Sequence, residues 1–248
     1  MKSYNEQLTA LRASGNLRHL PEVEHQGIWI LKEGKRMLNL SSNDYLGLAS
    51  RQDLQEEFQA STQDRFYPYS SSSSRLLTGN FSVYTKLEKQ IARSFDREAA
   101  LIFNSGYHAN TGILPALTDK QTLLLADKLV HASIIDGILL SGSPFLRYHH
   151  NDYDQLERLV QKNACQYETI IILTESIFSM DGDVADLNRL IAIKRQYPNI
   201  LLYVDEAHAI GARGKTGLGI AEEQSCIQEI DLLVGTFGKA LALSLIHI

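Results

Sequence analysis

The sequence predicts an α/β protein built on a mainly parallel sheet with helices on both faces. Two observations carry this. From residue 83 onward, short apolar runs alternate with stretches of helical periodicity. The runs are apolar at consecutive positions, as in TIIILTES (169–176) and NILLYVDE (199–206), rather than at every second one. Strands buried on both faces read this way, and they belong to parallel sheets sandwiched between helices.

Taken in order, Tyr4, Leu8 and Leu11 recur at helical spacing over residues 4–14, and Gly15 is a stop. IWIL (28–31) and RMLNL (36–40) flank KEGK and read as a β-hairpin. The segment YPYSSSSSRLLTGN (67–80) has the serine run of a linker, but its YPY and RLL flanks are too apolar for a solvated tether, so a structured loop is expected. Leu87, Ile91 and Phe95 mark a helix, and AALIF (99–103) reads as a strand followed by NSGYHANTG. Strands are then expected at QTLLLAD (121–127), PFLRYHH (144–150), TIIILTES, NILLYVDE and IDLLVGT (230–236). Helices are expected at HASIIDGILLS (131–141), through Leu156, Leu159 and Val160, and at DLNRLIAIKRQY (186–197). The pattern divides the chain into an N-terminal helix and hairpin segment, 1–45, and a large domain, 46–248.

Composition narrows the function. A chain of 248 residues with 44% hydrophobic and 21% charged residues is not a disordered one. Lys plus Arg total 24 against 29 Asp plus Glu, so no electrostatic footprint for nucleic acid or an anionic membrane is expected. No apolar run reaches the roughly 18 residues of a membrane span, and the N-terminus lacks a signal-peptide core. Cys165 and Cys226 form neither a disulfide framework nor a metal-ligand spacing, and His149–His150 reads as a strand end. A reduced, cytoplasmic protein without a metal is expected.

In open α/β sheets the ligand sits beyond the carboxyl ends of the strands. Those ends read NSG (104–106), ADKLVH (126–131), TESIFSMDGD (174–183), VDEAHAIG (204–211) and TFGKA (236–240). VDEAH also suggests a nucleoside triphosphatase, but such an enzyme needs an upstream GxxxxGK[ST] loop. The nearest match, AIGARGKT, has Ala209 for the first glycine and lies downstream. The same ends offer what pyridoxal phosphate needs: a Schiff-base lysine, an acid for the pyridine nitrogen, donors for the phosphate and a flat group for the ring. Lys239 lies in a glycine-bearing loop after an apolar strand. Asp205 ends the neighbouring strand, with His208 three residues on. NSGYHANTG offers helix N-terminal N–H groups to a phosphate, and His131 opens a helix where it can stack.

SNDYLGL, SRLLTGN, FNSGYHAN, ESIFSMDGD, YVDEAHAIGARGKTGLG and GTFGKA together resemble the α-oxoamine synthases, across roughly residues 1–241. The resemblance implies an aminotransferase-like, fold-type I large domain and the decarboxylative condensation of an amino acid with an acyl-CoA or acyl-carrier protein. It implies a homodimer with pyridoxal phosphate in each site. The motifs look most like the biotin-pathway branch, which uses L-alanine and a pimeloyl thioester; glycine C-acetyltransferase and 5-aminolevulinate synthase are the alternatives within the family. The implied roles are as follows. Lys239 carries the Schiff base and moves the Cα proton, Asp205 partners the pyridine nitrogen, His208 bonds the ring oxygen and His131 stacks. Ser179 and Thr236 supply hydroxyls to the cofactor, and Ser105, Gly106 and Tyr107 meet its phosphate. Glu175, Asn43 and Arg18 lie near the substrate, the last matching an N-terminal arginine; read alone, Arg18 is a surface residue. Two features depart from the pattern. Ser70–Ser74 replace a glycine-rich stretch, and the sequence stops nine residues after Lys239 in ALSLIHI. A truncated chain lacking its C-terminal domain, and a non-catalytic fragment as the rival reading, are therefore expected.

Overall fold

A computed structural model of the chain describes residues 3–62 and 70–243, in two compact units, Met1–Ser42 and Asn43–Ile248. Residues 67–69 of the predicted serine loop, and 244–248 of the tail, lie outside the described residues.

In the first unit, helix α1 (Tyr4–Ala13) opens on a reciprocal cap: Ser3 Oγ accepts from Glu6 N at 3.3 Å, and Ser3 N donates to Glu6 Oε2 at 2.7 Å. Strands β1 (Glu24–Gln26), β2 (Trp29–Lys32) and β3 (Lys35–Leu38) follow as an antiparallel meander. The sequence pattern reveals only β2 and β3, because EHQ is short and polar. Glu33 and Gly34, at φ +51° and +74°, give the hairpin the two left-handed central residues that match strand twist.

The second unit begins with a 3-10 turn at Leu48–Ser50, then α2 (Gln52–Thr62), α3 (Ser82–Ser94) and α4 (Gly106–Leu117). The alternating region is β4 (Thr122–Asp127), α5 (Ala132–Ser141), β5 (Phe145–Tyr148), α6 (Tyr153–Asn163), β6 (Thr169–Glu175), α7 (Leu187–Lys194) and β7 (Ile200–Asp205). A short α8 (Ile220–Glu223) and β8 (Leu232–Val234) complete it.

The strands form one parallel sheet in the order β5-β4-β6-β7-β8. Every residue of β4 is buried, as are all of β6 after Thr169. Successive strand side chains point to opposite faces, so both faces of the sheet are covered. The strand order explains how. The chain steps from β4 outward to β5, then crosses back to β6 on the other side of β4. Right-handed crossovers therefore put α5 on one face and α6 and α7 on the other. Accordingly α4 packs on α5, and α6 on α7. Leu124, Ile138, Leu156, Ile171, Leu190 and Leu202 belong to the continuous apolar core between these layers.

Residues 99–103, expected as a strand, form none. A strand needs a ladder partner, and the polar backbone here is held otherwise. Ile102 N donates to Glu88 Oε1 at 2.9 Å, and Ile102 O accepts from Arg75 Nη1 at 3.2 Å. Arg75 itself forks onto Glu88 at 2.8 and 3.0 Å, which ties the serine loop to α3. Within that loop Ser72 has φ +48°, a left-handed value that costs a non-glycine residue about 1–2 kcal/mol. Ser70 Oγ accepts from Ser72 N at 3.0 Å and supports the turn. Gly79 is fixed by contact: a Cβ there would lie 2.0 Å from the Ser73 carbonyl oxygen. No helix among the described residues is long and apolar enough to cross a membrane.

Ile171 pairs with Leu124 on one side and Leu201 on the other and is fully buried. Ile171→Ala is expected to lower the unfolding free energy by about 2–5 kcal/mol. Leu140→Ala, at a side chain 67% exposed, should change it by less than about 0.5 kcal/mol. Urea denaturation of both variants measures the contrast.

Candidate active site

The reversal of strand order falls between β4 and β6, and the crevice beyond their carboxyl ends is where an open α/β sheet takes a ligand. The sheet's register puts Glu175, the last residue of β6, directly opposite Asp205, the last of β7. Both are buried. Asp205 Oδ1 accepts from Ala207 N at 2.9 Å, and Oδ2 accepts from Asn110 Nδ2 at 3.0 Å. Glu175 Oε1 accepts a short hydrogen bond from His131 N. Burial, with the Asp205 charge added, pushes the Glu175 carboxyl up to about 7; the His131 N–H and the Lys239 cation hold it partly down.

Lys239 sits in the turn after β8, where Ala242 N donates to Lys239 O at 2.9 Å and Gly238 N donates to Thr236 Oγ1 at 3.2 Å. Burial lowers the Lys239 amine below the usual lysine range, against the pull of the Asp205 and Glu175 carboxylates. His208 is pushed down to about 4, first by burial, then by the Lys239 cation, so its ring is neutral at pH 7. Its Nδ1 lies 2.7 Å from the Tyr45 hydroxyl, which also reaches Asn43 Oδ1 at 3.2 Å. The engaged Nδ1 leaves Nε2 for another partner.

Helix α4 begins at Gly106 with Ser105 as its cap: Ser105 Oγ accepts from His108 N at 3.1 Å and contacts His108 Nδ1 at 2.8 Å. Gly106 and Tyr107 occupy the first two helical positions, whose N–H groups have no intrahelical acceptor. Nothing lies within 4 Å of where a Gly106 Cβ would be, so the helix end is open. The Tyr107 hydroxyl is committed elsewhere, to Asp136 Oδ2 at 2.9 Å. His131 caps α5 and accepts from Ser133 N through Nδ1 at 3.2 Å.

The chain thus gathers Lys239, Asp205, Glu175, His208 and His131 into one electrostatically coupled group. Asn43 joins them through Tyr45. Thr236 stands in the Lys239 turn. Ser179 is exposed in the turn after β6, where Gly182 N donates to Phe178 O at 2.8 Å. That excursion is latched to the end of β4 by His150, whose Nδ1 lies 2.9 Å from Asp127 Oδ1 and Nε2 2.6 Å from Asp183 Oδ2. Arg18 is exposed in the first unit, after α1. Sequence reasoning missed Tyr45, Asn110 and Ser133. Each lies inside a quoted motif or its flank, but the bonds that bring Tyr45 to His208 and Asn110 to Asp205 join residues far apart in the sequence.

A protein-family model described as aminotransferase class I and II matches residues 35–244, and the chain belongs to that family. A Haemophilus influenzae protein provisionally named 8-amino-7-oxononanoate synthase is 59% identical over 242 residues, covering 98% of this chain and 64% of its own length. A Neisseria gonorrhoeae protein with the same provisional name gives the same identity and coverage. The chain therefore spans just under two thirds of these relatives. A serine palmitoyltransferase from S. paucimobilis, solved with a bound PLP–myriocin aldimine, superposes with a TM-score of 0.83 at 26% identity, over 96% of this chain and 59% of that one. The 8-amino-7-oxononanoate synthase of Francisella tularensis gives 0.66 at 30% identity, over 82% and 55%. The α/β large domain is that of these enzymes.

The raised Glu175 carboxyl has a defined sign in stability. Between the ordinary value of 4.5 and about 7 the folded chain holds a proton that the unfolded chain has released. Stability contributed by this residue is therefore lost as pH rises through that window. Glu175→Gln is expected to flatten the fall, read from urea midpoints at a series of pH values.

Proposed function

We propose that the chain serves a pyridoxal-phosphate-dependent acyltransferase. Its reaction condenses L-alanine with pimeloyl-CoA, or a pimeloyl-carrier protein, with loss of CO₂, giving 8-amino-7-oxononanoate for biotin biosynthesis. The observation that supports the reading is the pair of buried acids, Glu175 and Asp205, set side by side at adjacent strand ends, with the half-buried Lys239 in the turn after the next strand, β8. The choice of substrates rests on the names of relatives that match along 98% of the chain. A cytoplasmic homodimer is part of the same proposal.

The residues present fit the cofactor. A partly buried amine, a buried carboxylate, an open helix N-terminus and a neutral imidazole are the donor set it requires, and all stand at one end of the sheet. When bound, the cofactor supplies an electron sink for the carbanion at the substrate Cα. Lys239 would carry it and then move the Cα proton; burial lowers the amine below the usual lysine range and so favours the neutral form that accepts a proton. Asp205 would partner the pyridine nitrogen and keep it protonated. His208, with Nδ1 engaged by Tyr45, would bond the ring oxygen through Nε2, and His131 would stack on the ring. The backbone N–H groups of Ser105, Gly106 and Tyr107, with the Thr236 hydroxyl, would hold the phosphate, and the Ser179 hydroxyl would also contact the cofactor. Asn43 and Glu175 would orient the substrate, and the N-terminal Arg18 is carried as a substrate residue by the family resemblance alone. Glu175, poised near pH 7, can take or give a proton there.

Incubation with pyridoxal phosphate, borohydride reduction and peptide mass mapping should put a stable adduct on Lys239, absent in Lys239→Ala. An adduct confined to another lysine would overturn the site. In the full-length enzyme, alanine plus pimeloyl-CoA should outrun glycine plus acetyl-CoA or succinyl-CoA; the reverse order would reassign the substrates. Asp205→Asn should cut turnover about a hundred- to a thousandfold.

A further inference from the structure

We propose that Asn110 is a positioning residue: one amide N–H holds the Asp205 carboxylate, and the other, acting through Ser133, locks His131 in the Nε2–H tautomer. What the two held groups do rests on the function proposed above; the geometry that holds them does not.

Every polar atom of the Asn110 amide has a partner. Asn110 lies one turn into α4 and is 1% exposed, so its amide has no recourse to water. Its Nδ2 donates to Asp205 Oδ2 at 3.0 Å and to Ser133 Oγ at 2.9 Å. Its Oδ1 accepts from the buried Tyr203 hydroxyl at 2.5 Å. The opposite amide orientation would set a carbonyl oxygen against a carboxylate and is excluded. Ser133 Oγ, accepting from Asn110, directs its own proton to His131 Nδ1, 2.7 Å away. Ser133 N donates to the same nitrogen at 3.2 Å. A ring nitrogen that receives two donors offers a lone pair, so the imidazole proton is on Nε2.

The chain of bonds runs Tyr203, Asn110, then to Asp205 on one branch and Ser133 and His131 on the other. It joins three elements, α4, β7 and the start of α5, through one side chain. No other described side chain hydrogen-bonds to both Asp205 and Ser133. Asparagine suits the position because it alone offers two parallel donors and one acceptor in this reach. Aspartate would lose both donors, and leucine would keep the volume and lose every bond.

The test is imidazole-nitrogen NMR on the full chain with ring-labelled histidine, with His131→Gln to assign the signal among eight histidines. The wild type should show His131 as the Nε2–H tautomer, with Nδ1 unprotonated. Ser133→Ala and Asn110→Leu should each give a mixture of tautomers, and Ser133→Thr should restore the wild-type pattern. A wild-type signal from the Nδ1–H form, or an unchanged Nε2–H form in both variants, would overturn the proposal. Circular dichroism and thermal unfolding show whether each variant is folded; if Asn110→Leu is not, Ser133→Ala and its threonine rescue decide the tautomer arm alone. These readings need no cofactor, so they stand or fall apart from the adduct on Lys239. A second arm reads Asp205. Asn110→Leu should weaken pyridoxal phosphate binding about tenfold or more by fluorescence titration, as loss of a bond to a charged group requires, and Ser133→Ala much less. Equal affinities in Asn110→Leu and wild type would remove Asp205 from the proposal.

Discussion

Two carboxylates forced side by side are the constraint on which this site depends. Parallel pairing in register sets Glu175 against Asp205 at the ends of β6 and β7, with both buried. Neither strand can slip to relieve the repulsion, because a one-residue shift would turn an apolar set out of the core. The chain answers with donors instead. Asp205 receives an amide and a backbone N–H, Glu175 receives the N–H of His131, and the Lys239 cation helps to hold the Glu175 carboxyl down. The residual cost is carried by Glu175, which keeps its proton until near pH 7.

The same register explains why chemistry collects at one end of the molecule. All five strands of the large sheet run the same way, so every strand-end loop opens on the same side. Helix N-termini follow those loops, and they bring N–H groups to the edge where acids end the strands. Ser105, His131 and Asp186 each cap a helix there through a side-chain acceptor. Burial of both sheet faces beneath α4 to α7 keeps these ends rigid relative to one another, which a site made from so many separate segments requires.

Much of this was legible in the sequence. The strands at 121–127, 169–176 and 199–206 are visible because a doubly covered parallel strand must be apolar throughout. Asp205 and Glu175 are visible as strand-end acids, because VDE and TES close apolar runs that the sheet pairs in register. The expected strand at 99–103 failed because apolarity reports burial, not a hydrogen-bonding partner; Glu88 and Arg75 take the backbone of Ile102 instead. Asn110 and Tyr45 were not legible as site residues. Their bonds to Asp205 and His208 span 95 and 163 positions, and no local pattern encodes a contact that tertiary packing alone creates.

The pair Asp205–Glu206 shows how finely the strand length is set. Glu206 is buried with no exposure at all, and its carboxylate accepts from Ser176 Oγ at 2.5 Å, Ile220 N at 3.1 Å and Ala221 N at 2.7 Å. It ties the end of β6 to α8. Adjacent residues leaving a strand diverge in direction, so one acid of the pair serves the site and its neighbour serves the scaffold. Deleting one residue in β7 would bring Glu206 to the crevice and leave Ala207 under α8, and inserting one would carry Asp205 under α8 and leave Val204 at the crevice. The two letters D and E in VDEAH are thus not interchangeable acids but two separate addresses, assigned by the parity of the strand that delivers them.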